Sequence, residues 1–156
     1  MSTNDRFAGV TLDAPRIMGI INVTPDSFSD GGDAWRLEDA LTRGHAMIAA
    51  GADMLDVGGE STRPGARPVD ENEEIARVVP VIRALAADGL LVSIDTRHAE
   101  VMRASIAAGA RIVNDVTALT GDDDSLAVVA DAGVDVILMH MQGEPRTMQV
   151  RPSYKD

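Results

Sequence analysis

Five times along this chain an apolar run stops abruptly at a polar residue: at Asn22, Asp56, Asp95, Asn114 and His140. The first stop is the most abrupt. Ile17-Met18-Gly19-Ile20-Ile21 gives way to Asn22-Val23-Thr24-Pro25-Asp26-Ser27-Phe28-Ser29-Asp30-Gly31-Gly32, a segment rich in polar and turn-forming residues. A strand ending this way delivers hydrogen-bonding groups to one edge of a sheet. Helical patterns lie between the stops. One polar group at the end of each successive strand is how an α/β barrel assembles a site at one rim.

The spacing predicts five strands: Arg16–Ile21, Met54–Val57, Leu90–Ile94, Arg111–Val113 and Val134–Met139. It predicts four helices at Trp35–Ala50, Glu73–Ala87, His98–Ala108 and Asp123–Asp131, with apolar residues near a 3.6 period. Asp122 to Asp124 are expected to cap the fourth helix. An internal echo supports the register. Ala50-Gly51-Ala52-Asp53, Ala108-Gly109-Ala110-Arg111 and Ala132-Gly133-Val134-Asp135 each stand between a helix and the next strand. Glycine there supplies a left-handed helix end and a short loop. Strands such as Val136-Ile137-Leu138-Met139 are apolar on both faces, as helix-covered parallel strands must be. A doubly wound sheet shares this local pattern. The serial polar strand ends, without a glycine-rich dinucleotide fingerprint, favour the barrel.

Length limits how much of a barrel is present. The sequence has 156 residues, whereas eight β/α units need about 250. Five strands with four helices leave an uncovered apolar edge, so the chain reads as the N-terminal part of something longer, with self-association as the expected remedy. The absence of Cys rules out a disulfide framework and a thiolate nucleophile. There is no membrane-spanning apolar run and no secretory signal pattern at the start, so a cytoplasmic protein is expected. A net charge of −11, from 14 basic and 25 acidic residues, argues against non-specific nucleic-acid binding. It leaves room for a local anion site made by backbone amides and one or two arginines.

Several motifs then carry a resemblance. Met18 to Gly32, Asp56-Val57-Gly58-Gly59-Glu60-Ser61-Thr62-Arg63-Pro64-Gly65, Ser93-Ile94-Asp95-Thr96, Asn114-Asp115 and Leu138-Met139-His140-Met141-Gln142-Gly143 occur in the order typical of dihydropteroate synthases. The chain resembles roughly the first half of that family, from about residue 16 onward. The resemblance implies the α/β class and the (β/α)8 TIM-barrel family, here about the first five strands and four helices. Residues 1–156 would then be the N-terminal portion of a single pterin-binding barrel domain. One departure is Val116-Thr117-Ala118, where many members carry isoleucine, arginine and serine; Asn114-Asp115 beside it is intact.

The activity implied is condensation of 6-hydroxymethyl-7,8-dihydropterin diphosphate with 4-aminobenzoate in folate biosynthesis, giving dihydropteroate and diphosphate. By resemblance, Asn22 helps bind Mg²⁺ and the diphosphate, and Thr62 contacts the substrate nearby. Asp95 and Asn114 hydrogen-bond the pterin ring. Arg63 belongs to a second loop that closes over the aminobenzoate side, where sulfonamides act. Ser61, Phe28 and Met139 complete the expected substrate contacts, and Asn22, Arg63 and Asp95 are the expected catalytic groups. A homodimer is the expected assembly.

The residue types suit this chemistry. A pterin edge presents a row of donors and acceptors; a carboxylate can take two donors, and an amide can both give and accept. Each residue has a plainer reading as well. Asp95 is either a ligand group or the cap of the helix starting near Arg97. Asn114 is either a ligand group or a turn residue. Asp56 is either in the site or a polar support for the Gly58-Gly59 turn, with support favoured. Phe28 either covers a bound ring or anchors its loop, and Arg63 either reaches substrate or faces solvent. His45, His98 and His140 are not at metal-ligand intervals. His45 is expected at the surface or in helix packing, and His140 lines the pocket or orders its loop. The amine of aminobenzoate attacks as a neutral nucleophile, so catalysis is expected to rest on positioning and leaving-group stabilisation rather than on an acid–base pair.

Overall fold

A computed structural model describes residues 6–24, 33–60, 69–143 and 147–155, and the side chains within those ranges except at 33–36. Among them, five parallel strands run in sequence order: β3 (Met18–Asn22), β4 (Met54–Gly58), β5 (Val92–Asp95), β6 (Ile112–Asp115) and β7 (Asp135–Leu138). Helices α1 (Asp33–Ala49), α2 (Glu71–Ala87), α3 (Ala99–Ala108) and α4 (Ser125–Ala132) alternate with them. This is the N-terminal half of a (β/α)8 barrel, five strands and four helices as expected.

The register sorts the strand residues onto two faces. Ile21, Val57, Ile94, Val113 and Val136 share one paired row, and alternate residues must share a face. That row packs with Val78, Val81, Ile82 and Leu85 of α2 and Val101 and Met102 of α3 in the main core. Close packing there reaches Gly19, where an added Cβ would lie 2.7 Å from Met47 Sδ. Each such buried aliphatic side chain contributes roughly 1.5–3 kcal/mol by leaving water.

The opposite face carries Asn22, Gly58, Asp95, Asn114 and Ile137 in its upper row. Its lower end is closed by an element the sequence pattern did not reveal. β1 (Arg6–Phe7) and β2 (Val10–Thr11) form an antiparallel hairpin through Ala8-Gly9. Both turn residues have positive φ, 48° and 86°, which a two-residue turn of this hand needs. Phe7 and Ala8 pack with Met18, Met54, Leu91, Ile112 and Ile137, and the Ala8 amide donates to Asp135 Oδ2 at 3.0 Å. Two-residue strands give no readable period, so the hairpin was invisible to pattern.

Helix ends follow the expected glycines at Gly109 (φ 117°) and Gly133 (φ 64°), both left-handed. α2 starts at Glu71, two residues before the expected start, because Asp70 Oδ1 accepts the Asn72 amide at 3.0 Å. The expected cap of α4 is met in part: Asp122 Oδ1 accepts the Asp124 amide at 3.0 Å and its carbonyl the Ser125 amide at 3.1 Å, at the entry to α4. Asp124 precedes α4 without a side-chain cap bond. Asp122 also serves α3, its Oδ2 accepting the Ala99 amide at 3.0 Å, and its carboxyl is held below the usual range by the Ala99 bond first and the Asp124 bond second.

Candidate functional site

Three polar side chains converge because the residue between two of them has none. Asn22 on β3, Gly58 on β4, Asp95 on β5 and Asn114 on β6 stand in one register row. A Cβ placed on Gly58 would lie 3.5 Å from Asp95 Oδ2 and 3.7 Å from Asn22 Oδ1. Glycine here leaves the space into which the two side chains lean. Asn22 is exposed, and Asp95 and Asn114 are half-buried.

Asp56 lies one row lower, mid-strand, opposite Ser93. It is 3 % exposed, and its Oδ2 accepts Asn114 Nδ2 at 2.9 Å. Burial pushes its carboxyl up, while the neighbouring Ser93 hydroxyl and the Asn114 amide work the other way. Its polar support thus goes to Asn114, two strands away, rather than to the Gly58-Gly59 turn.

Asp95 is pushed up to about 7, first by burial and then by the charges of Asp56, Glu74, Asp115 and Glu60. Among the described residues, Arg97 and His98 are already engaged. Arg97 Nε and Nη2 reach Glu60 Oε2 and Oε1 at 3.0 and 3.2 Å. Burial opposes ionisation of Glu60, but Arg97 outweighs it and holds the carboxyl low. His98 Nδ1 sits 2.8 Å from the fully buried Glu74, which raises the imidazole pKa. Asp95 does not cap α3. The His98 amide bonds Thr96 Oγ1 at 3.2 Å and the Ala99 amide bonds Asp122. Among the described residues Asp95 has no cation of its own, and a half-buried carboxyl of that kind can accept donors from a ligand.

The rim is braced from outside the row. Asp115, fully buried, accepts Thr117 N, Thr117 Oγ1 and Leu119 N at 2.7–2.9 Å, holding Ala118 and Leu119 in left-handed conformations. Glu60 Oε1 also accepts the Val69 amide at 3.3 Å, and Arg77 Nη1 donates to the Gly59 carbonyl at 2.8 Å. These braces escaped sequence reasoning, since Glu60 and Arg97 are 37 positions apart and no period links them.

The geometry of a donor-accepting row at the strand ends has its counterpart in known proteins. A family model described as pterin binding enzyme matches residues 18–156. The chain belongs to the pterin-binding enzyme family. Dihydropteroate synthase of Escherichia coli K12 is 50% identical over 151 residues, covering 95% of this chain and 53% of that protein. Xanthomonas albilineans dihydropteroate synthase with 4-aminobenzoic acid superposes with a TM-score of 0.83 at 53% identity, over 94% of this chain and 52% of that one. The Burkholderia cenocepacia enzyme complexed with 7,8-dihydropteroate gives 0.77 at 46% identity, over 94% and 49%. The chain thus spans about half the length of the relatives it matches.

Against this pterin-binding frame the remaining expected residues divide. Met139 follows β7, half-buried, with its amide bonded to the Asp115 carbonyl at 3.1 Å. His140 is exposed, its ring 5.7 Å from that of Tyr154. His45 pairs with Asp88 at 3.1 Å on the surface, joining α1 to the end of α2. Phe28, Ser61, Thr62 and Arg63 lie outside the described residues.

The expected Mg²⁺ with Asn22 as its ligand is corrected. Among the described residues no group of three or more His, Cys, Asp or Glu side chains could hold a metal ion. A hard cation demands several converging oxygens. Asn22 offers one amide oxygen beside Asp95, while Asp56 is a row deeper and bonded to Asn114. Among the described residues, no helix is long and apolar enough to cross a membrane.

Proposed function

We propose that this chain carries the pterin-recognising half of a dihydropteroate synthase domain, and that these 156 residues by themselves bind a pterin weakly without condensing it. The observation carrying this reading is the row Asn22–Gly58–Asp95–Asn114, with the Asp95 carboxyl uncommitted to any cation among the described residues. Asp95 accepts two ring N–H donors and Asn114 a third contact, in roles matched to the motifs. The relatives with bound 4-aminobenzoic acid and 7,8-dihydropteroate support these two substrate classes. In the complete domain, 6-hydroxymethyl-7,8-dihydropterin diphosphate and 4-aminobenzoate are joined with loss of diphosphate. Thr62, Ser61, Arg63 and Phe28 serve the aminobenzoate and diphosphate side in this reading.

This row supplies orientation rather than proton transfer. It fixes the pterin plane so that the methylene carbon meets the incoming amine in line with departing diphosphate. A second copy is the proposed partner, since β3 and β7 end the sheet and Ile20 (58 % exposed) and Leu138 (51 %) stand beside those edges. Light scattering across a dilution series would show a dimer that dissociates; a monomer at every concentration removes that part. The function itself is tested by fluorescence titration with pterin beside an assay for released diphosphate. Saturable pterin binding with no diphosphate release is expected. Turnover by the 156 residues, or no pterin binding, contradicts it.

A further inference from the structure

The orientation of one amide depends on a carboxylate beneath it. Asn114 has two faces to show a ligand, an oxygen that accepts and a nitrogen that donates. Asp56, ionised, only accepts. Its Oδ2 therefore takes Asn114 Nδ2, at 2.9 Å, in a place where Asp56 is 3 % exposed. No water competes readily at that depth, so reversal of the amide would set two oxygens against each other. The backbone of Asn114 is pinned as well, its carbonyl accepting the Thr96 amide at 3.1 Å. With Nδ2 turned down to Asp56, Oδ1 is left for the open side of the row, next to Asp95 in register.

We propose that Asp56 is a positioning residue that locks the Asn114 amide oxygen toward the ligand, so that position 114 presents an acceptor and selects a pteridine edge with an N–H donor there. The proposal rests on the pterin reading above and deepens it. A ring with a carbonyl where the 2-amino group stands would set oxygen against oxygen at this row and be rejected. Discrimination of this kind is larger than a pocket of matching shape gives, because a mismatched polar group is left unpaired.

The test compares pterin with lumazine, the pteridine bearing oxygen in place of the 2-amino group, by equilibrium titration of the chain. Wild type is expected to prefer pterin. In Asp56→Asn the partner offers either an oxygen or a nitrogen, and Asn114 is free to reverse. Pterin should weaken about 3–10-fold while lumazine does not, so the preference contracts. The paired exchange of Asp56→Asn with Asn114→Asp keeps an amide–carboxylate bond with its ends swapped and restores an acceptor at position 114. It should recover pterin affinity over the single variant. A bracing role without orientation predicts equal losses for both pteridines. An unchanged preference in Asp56→Asn, or no recovery in the exchange, overturns the proposal. Wild type that binds neither pteridine overturns the pterin reading and the proposal with it, a distinguishable result. In the ligand-free wild-type chain, the Asn114 side-chain amide should exchange slowly by NMR. Exchange at the rate of an exposed amide overturns the lock without recourse to any variant.

Discussion

On β5, Ile94 points into the helix-covered side of the sheet and has no exposed surface, whereas Asp95, the next residue, points to the other side and carries a carboxyl pushed up to about 7. The contrast extends across β3, β4, β5 and β6, whereas on β7 Val136 and Ile137 are both apolar. Residues 21, 57, 94, 113 and 136 are all β-branched and apolar, and they hold α2 and α3 to the sheet. Residues 22, 58, 95 and 114 are two asparagines, a glycine and an aspartate. The helix-covered face gains stability from burial. The upper part of the other face gives stability up, since it half-buries a carboxyl among other carboxyls without a cation of its own among the described residues. Groups arranged in that way serve a ligand better than they serve the fold.

The largest effect expected is on the helix-covered face. Leu55 is fully buried in the main core, so Leu55→Ala should cost about 2–5 kcal/mol in urea unfolding. A cost below about 1 kcal/mol would mean that this face does not carry the stability.

A smaller effect of defined sign is expected at Asp95. Its folded pKa of about 7 exceeds the unfolded carboxylate value of about 3.9. Below pH 4 the carboxyl is protonated in both states. Between pH 4 and 7 the unfolded chain ionises while the folded one keeps its proton, so stability falls as pH rises; above 7 the penalty is constant. Relative to Asp95→Asn, wild type should lose roughly 1–4 kcal/mol across that window. Comparing the two proteins cancels the other titrating groups. A difference that stays flat from pH 4 to 8 would remove the electrostatic half of the contrast.

The smallest effect belongs to β3. Ile20 shares the Asp56 row of the open face and is 58 % exposed, whereas Ile21 beside it is 2 % exposed. At dilutions where the chain is monomeric, Ile20→Ala should change stability by about 0.5 kcal/mol or less. A loss comparable to a core substitution in the dilute chain would show that Ile20 is packed within the monomer rather than left for the proposed second copy.

Much of this was legible in the sequence. The five strands and four helices, their order and the rim positions 22, 95 and 114 follow from apolar runs, glycine helix ends and the periodicity of Glu73–Ala87, whereas Asp56, expected to end its strand, lies one row below the rim. The two faces were less legible, because Met54–Gly58 is buried at every position and its run reads as uniformly apolar save for Asp56. Asp95 and Asn114 stood out as strand-ending polar residues. What failed to show were pairings between residues far apart in the chain: Asp56 with Asn114, Glu60 with Arg97 and Asp122 with the start of α3. A cap is read locally, so Asp122 was credited to the nearer helix. The Mg²⁺ expectation came from resemblance alone, and the described side chains do not converge to meet it.

Adjacent residues on one strand thus divide stability from binding. The most direct measurement takes Ile94→Ala and Asp95→Asn through paired urea unfolding and pterin titration at pH 8. Ile94→Ala is predicted to lose about 2–4 kcal/mol of stability while its folded fraction binds pterin as wild type does. Asp95→Asn is predicted to gain stability and to lose pterin affinity by about 10–100-fold. If both substitutions move stability and affinity in the same direction, the claim is contradicted.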